Sequence, residues 1–150
     1  RADRRQRARC LMPTRPRAVY FADENALGLG KLLRRGGRED VLYPGHEDLP
    51  EVPLGTQDLD LMKVIARRDL IVLTRDRRIR SRPAELRQYT ELGIRSVWIG
   101  AKQDLSAQAV VDLFLKHEPR LQREVTKRGP GPWALAMSAS GVRPLNIRDG

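Results

Sequence analysis

Apolar residues along this chain fall into two alternating patterns. Short β-branched or aromatic clusters predict buried strands at residues 18–22, 40–43, 70–74 and 94–99. Between them, apolar residues recur at three- and four-residue spacing, the period of a helix with one buried face. Asn25 is expected to cap a helix over 25–35, with Leu29, Leu32 and Leu33 on one face and Gly36-Gly37 as the stop. Thr56 is expected to cap a second over 57–68, and Pro83 suits the first turn of a third, ended by Gly93. A fourth covers 106–116 through Val110, Val111, Phe114 and Leu115, and Pro119 is expected to break or bend its continuation. After a GPGP turn, residues 133–137 and 142–147 predict two last strands. The connector PGHEDLPEVPLG, with its three prolines and two glycines, is expected to hold no regular structure.

Strand and helix therefore alternate, which predicts an α/β three-layer sandwich around a mostly parallel sheet. In such sheets, ligands bind beyond the carboxyl ends of the strands. That rule singles out the acids. Asp23 follows the first strand in FADEN, and Asp76 follows the most apolar one in LIVLTRD. Asp58 opens the second helix, and Leu61, Met62 and Ile65 follow at i+3, i+4 and i+7, so Asp58 is expected to face inward; Asp60 is offset toward solvent. Each acid alone has an ordinary explanation as a cap, a first-turn residue or a turn former. Together, three carboxylates at one rim repel unless a cation neutralises them, and a hard divalent ion does so. Magnesium beside a phosphodiester would polarise it and help form hydroxide.

Charge adds a partner. The 150-residue chain has a formal net charge of +10, and residues 1–17 contribute seven arginines against one aspartate. Met12-Pro13-Thr14 would serve as a natural start, with residues 1–11 an upstream extension, so this leader does not decide the function; residues 18–150 are expected to form one domain. A second basic cluster holds Arg75, Arg77, Arg78, Arg80, Arg82 and Arg87, suited to a nucleic-acid backbone or to a solvated surface. Aromatic residues are only 5% of the chain, so RNA contact is expected through phosphates rather than stacking. The single cysteine, Cys10, and the absence of a signal-type apolar run at the start of the sequence point to a reducing cytoplasm. No apolar stretch reaches membrane length. His46 and His117 lack partners at zinc spacing and are expected at the surface. Gly28-Leu29-Gly30 is expected to permit close helix packing, and Trp98 and Trp133 to lie in the core.

The stretches FADEN, GTQDLDLM and IVLTRD resemble the PIN-domain superfamily of metal-dependent ribonucleases, and most of all the VapC-type toxins of toxin–antitoxin pairs. The resemblance spans about residues 19–137. It implies that Asp23, Asp58 and Asp76 are the acidic metal-site residues, that Asn25 and Thr74 support the site, and that RNA is hydrolysed with Mg2+, or Mn2+ as a substitute, leaving a 5′-phosphate. It further implies a cognate antitoxin and a homodimer. Many such nucleases have a fourth acid soon after the third, but Arg77 and Arg78 stand there. Glu85, Glu24 and Asp60 are the remaining candidate ligands. Two alternatives stay open: a non-catalytic PIN-like RNA-binding module, and a receiver-type phosphorylatable domain.

Overall fold

The computed structural model describes residues 18–75, 83–100 and 105–146. Six strands form one sheet: β1 (Tyr20–Ala22), β2 (Val41–Leu42), β3 (Ile71–Thr74), β4 (Arg95–Ile99), β5 (Trp133–Ser138) and β6 (Gly141–Leu145). Four α-helices pack on it: α1 (Leu27–Arg35), α2 (Asp58–Arg68), α3 (Pro83–Glu91) and α4 (Ala107–Arg128). The strand order is β2-β1-β3-β4-β5-β6, parallel throughout except for the antiparallel β5–β6 pair. The α/β three-layer sandwich expected from the alternation is thus the fold.

Strand periodicity sorts the core into two layers, because alternate side chains leave opposite faces of a strand. Tyr20 and Ala22, Ile71 and Leu73, and Val97 and Ile99 pack with Leu29, Leu33, Val110 and Phe114 of α1 and α4. Phe21, Val72 and Trp98 face the other way, onto Leu61, Met62 and Ile65 of α2 and Leu86 and Tyr89 of α3. The glycines of α1 set how closely the first layer packs. A Cβ at Gly30 would stand 2.9 Å from the Ala22 Cβ, and one at Gly28 would stand 2.9 Å from the Ala107 Cβ.

Three local readings need correction. Asn25 does not cap the first helix. Ala26 holds that position without a side-chain bond, and Asp23 instead caps the short 3-10 turn Glu24–Ala26 that leads into α1, accepting a 2.8 Å hydrogen bond from Glu24 N. Thr56 does not cap α2: Gln57 holds that position without a side-chain bond, and the Thr56 hydroxyl donates to Pro53 O at 2.6 Å. Pro119 does not end the fourth helix, which runs 22 residues with Pro119 inside it. An interior proline costs about 3 kcal/mol through a lost hydrogen bond and a ring clash. Contacts beyond it offset that cost: Leu121 is fully buried, and Glu118 forms paired bonds with Arg38 at 2.7 and 2.8 Å. Since Pro119 itself is exposed, Pro119→Ala is expected to stabilise the protein by about 1–3 kcal/mol in urea unfolding.

The same ion pair reaches the first strand. Tyr20 packs edge-on against Phe114, with ring centroids 5.4 Å apart. Burial, then the charge of Glu118 and a hydrogen bond to it, hold the Tyr20 hydroxyl well above its ordinary value of 10.0. The folded state therefore favours the neutral phenol. This contribution is complete below pH 10 and is lost as rising pH ionises the unfolded chain first. Above pH 10, unfolding free energy is expected to fall less steeply with pH in Tyr20→Phe than in the parent.

Candidate functional site

Strand order locates the crevice. From β1 the chain crosses to β2 on one side and later returns to β3 on the other, so the sheet reverses its winding between β1 and β3. Beyond the carboxyl ends of two such strands, the adjoining loops diverge and leave room for a ligand. Asp23 and Arg75 are the residues immediately after these two strands, and Asp23 N donates to Leu73 O at 3.0 Å.

Asn25 joins the two strand ends. Its Oδ1 accepts from Arg75 N at 2.8 Å and from the Thr74 hydroxyl at 3.2 Å, and its Nδ2 stands 3.4 Å from Asp23 Oδ2. Thr74 is buried, 1% exposed, so its hydroxyl requires a partner from within the protein. Asn25 therefore ties the two strand ends together. The family resemblance implied a supporting role for Asn25 and Thr74; the hydrogen bonds to Thr74 and Arg75 become visible only in three dimensions.

The connector encloses one side of this rim. Asp23 and Glu24 line a small open cleft of about 40 Å³ with Pro44, Val52, Pro53, Thr56 and Leu61. Although it lacks regular elements, the connector is tightly folded. Gly45 N donates to Val52 O, Leu49 and Val52 are each 1% exposed, and Arg68 pairs with Glu51 at 2.7 Å. That pairing holds the Glu51 carboxyl below its ordinary range. His46 belongs to the same unit rather than to the open surface. Its ring meets Tyr43 edge-on, contacts the Arg34 guanidinium and accepts from Asp48 N, with only 9% of the side chain exposed.

Glu24 is a connector anchor. Its Oε1 accepts from Gly55 N at 2.8 Å, and Gly55 adopts φ +84, which favours glycine. An extended chain would have turned Glu24 away from Asp23. The 3-10 turn instead lets both line one cleft. Glu24→Ala is expected to speed hydrogen exchange at the Gly55 amide, whereas Glu24→Gln, which keeps a carbonyl acceptor, is expected to leave most of the protection in place; amide exchange by NMR reads both.

The other sequence candidates divide by position. Asp58 is the first residue of α2, and the expected stripe of Leu61, Met62 and Ile65 is buried. Thr56 and Leu61, on either side of Asp58 in sequence, line the cleft with Asp23. Asp60 is exposed, as its offset predicts, and Glu85 is half-buried in the first turn of α3. The side chain of Asp58 and the whole of Asp76, Arg77, Arg78, Arg80 and Arg82 lie outside the described residues. Among the described residues, no three His, Cys, Asp or Glu side chains gather at metal-binding distance. Among the described residues, the ligand atoms that line the cleft beside the rim are carboxylate and hydroxyl oxygens, from Asp23, Glu24 and Thr56. Such a set suits a hard cation such as Mg2+ or Mn2+ and gives none of the nitrogen or sulfur that zinc favours.

A sequence model of the PIN-like domain family matches residues 18–101, which are 84 of the 150 positions. This chain is a PIN-like domain. PIN domains are generally nucleases, hydrolases of phosphodiester bonds. The match covers β1 through β4, and hence the crevice between β1 and β3, the Asn25 bridge and the connector. It also sets aside the receiver-type alternative. Comparisons with curated proteins and with solved structures returned no match. Among the described residues, no helix of this PIN-like domain is long and apolar enough to cross a membrane.

Proposed function

We propose that this PIN-like domain is a metal-dependent endoribonuclease and acts in the cytoplasm as the VapC-type toxin of a toxin–antitoxin pair. The observation that carries the reading is the Asn25 bridge, which holds the turn of Asp23 and the Thr74-Arg75 strand end together at the switch point of the sheet. A bridge of this kind fixes the Asp23 turn against the end of β3, the strand that precedes Asp76 in the sequence, and so supports a carboxylate site at this crevice. In this reading Asp23, Asp58 and Asp76 hold Mg2+ or Mn2+, and Glu24, Asp60 and Glu85 are the further candidate acids. When bound, the metal supplies Lewis-acid polarisation of the phosphoryl oxygen and a more acidic water. Arg75, Arg77, Arg78, Arg80 and Arg82 grip the RNA backbone through charge-assisted bonds. Asn25 and Thr74 keep Asp23 and Arg75 in register, so little reorganisation accompanies the reaction. A cognate antitoxin would restrain the activity, and the active form would be a homodimer.

Incubation of the purified protein with structured RNA tests this directly. Cleavage with Mg2+ that stops on chelation and returns with Mn2+ is the expected result. RNA left intact under both conditions, with RNA binding retained, would favour the non-catalytic module instead. One observation leans that way: Glu24, one of the further candidate acids, already accepts from Gly55 N.

A further inference from the structure

The outer face of α4 carries a row of cations that the proposed site does not use. Lys116, Arg120, Arg123 and Lys127 are spaced four, three and four residues apart, and all four are exposed. At 3.6 residues per turn, they fall within a sector about 60° wide and run about 16 Å along the helix. The buried residues of the same helix, Val110, Val111, Phe114, Glu118 and Leu121, centre on the opposite side, so the row faces directly away from the core.

No acid enters the sector between Lys116 and Lys127. The two glutamates in this stretch point elsewhere and are already paired: Glu118 with Arg38 at 2.7 Å, and Glu124 with Arg128 at 3.2 Å. Among the described residues, none of the four cations makes an ion pair. Four like charges at helical spacing repel one another and disfavour the helix. A helix that needed only solubility would intersperse acids along the same face. Asp112, one turn before Lys116, closes the row and is held by Gln108.

From these observations we infer that the outer face of α4 is a docking strip for the phosphodiester backbone of a nucleic acid, separate from the crevice between β1 and β3. A straight row of regularly stepped cations matches a linear polyanion with one charge per unit. An anionic membrane is a poorer fit, because a helix lying on a bilayer inserts a bulky apolar face. Here that face is in the core, and the strip is flanked by Pro119, Thr126 and Glu124. The strip also lies outside the residues matched by the PIN-like family. The choice of RNA as the strand rests on the ribonuclease reading; the strip itself rests on α4 alone.

The test is the salt dependence of binding to a labelled single-stranded RNA, measured in an Asp23→Asn background so that the strand stays whole. Replacing Lys116, Arg120, Arg123 and Lys127 together by alanine removes four contacts. With about 0.7 of slope per contact on a single strand, the plot of log affinity against log salt is expected to flatten by roughly 3. A paired variant, Lys116→Glu with Lys127→Glu, repeats the measurement if the fourfold variant unfolds, with an expected flattening of at least about 1.4. An unchanged slope in folded variants would overturn the strip, as would binding to anionic vesicles that the variants lose while RNA binding stays the same. RNA cleavage by the parent with no change of slope would remove the strip and leave the nuclease. A flattened slope without any cleavage would do the reverse.

Discussion

Asp23→Asn is expected to lower Mg2+-dependent RNA cleavage by about two orders of magnitude or more, with the fold intact. The asparagine Oδ1 can still accept from Glu24 N, where the aspartate bond is 2.8 Å, and asparagine caps helices as well as aspartate does. What the substitution removes is charge at the end of β1, together with the Oδ2 acceptor that stands 3.4 Å from the Asn25 Nδ2. Losing an outer partner of a bound metal typically costs 10–100-fold in affinity or activity, and a direct carboxylate ligand should exceed that. Single-turnover cleavage by parent and variant at matched thermal stability measures the difference. Mg2+ titration by calorimetry separates lost metal affinity from lost chemistry. Equal cleavage by the two proteins would remove Asp23 from the reaction.

The largest stability effect is expected at Arg38. Its guanidinium forms paired bonds with Asp40 at 2.8 and 2.9 Å and with Glu118 at 2.7 and 2.8 Å. Both partners, Asp40 first, hold the guanidinium protonated more firmly than usual. Arg38→Ala would leave the Glu118 carboxylate, 11% exposed, beside the Tyr20 hydroxyl with no cation. Breaking a buried pair from one side costs about 3–5 kcal/mol, and the 27% exposure of Arg38 places this one near 3 kcal/mol. A joint replacement, Arg38→Met with Glu118→Leu, should recover part of that loss, because it removes the unpaired Glu118 charge, while Asp40, 23% exposed, still loses its cation. Urea unfolding of the parent and the two variants gives both numbers. The cost should be felt along α4, since this pair secures the helix next to Pro119.

Much of this fold could be read from the residues alone because its signals are periodic. The continuous apolar run around Val72 and the helical stripe of Leu61, Met62 and Ile65 both matched the packed layers. Local chemistry was harder to read. Asn25 and Asp23 are both good cap residues, and only the position of β3 decides that Asp23 caps while Asn25 reaches Thr74 and Arg75, 49 and 50 positions away. Pro119 looked like a helix end because its disadvantage is local, whereas the contacts that outweigh it come from Arg38, 80 positions away from Glu118. The connector, too, was legible only as irregular. Its three prolines rule out ladders and helices, but burial of Leu49 and Val52 depends on β2 and α2 being in place. At the candidate site, sequence reasoning indicated Asp23 and its neighbours at the rim but not the Glu24–Gly55 bond, which joins two segments with no periodic signal.

The two margins of the sheet limit how copies of this chain could associate. β2 offers only two residues for pairing on its outer side. At the other margin, β6 includes Pro144, which has no N–H to donate, beside an exposed Arg143. Short margins, proline and charge each discourage a second sheet from adding on. Self-association by a shared ladder is therefore disfavoured at both described margins, which leaves the helical faces as the better surface for a twofold assembly.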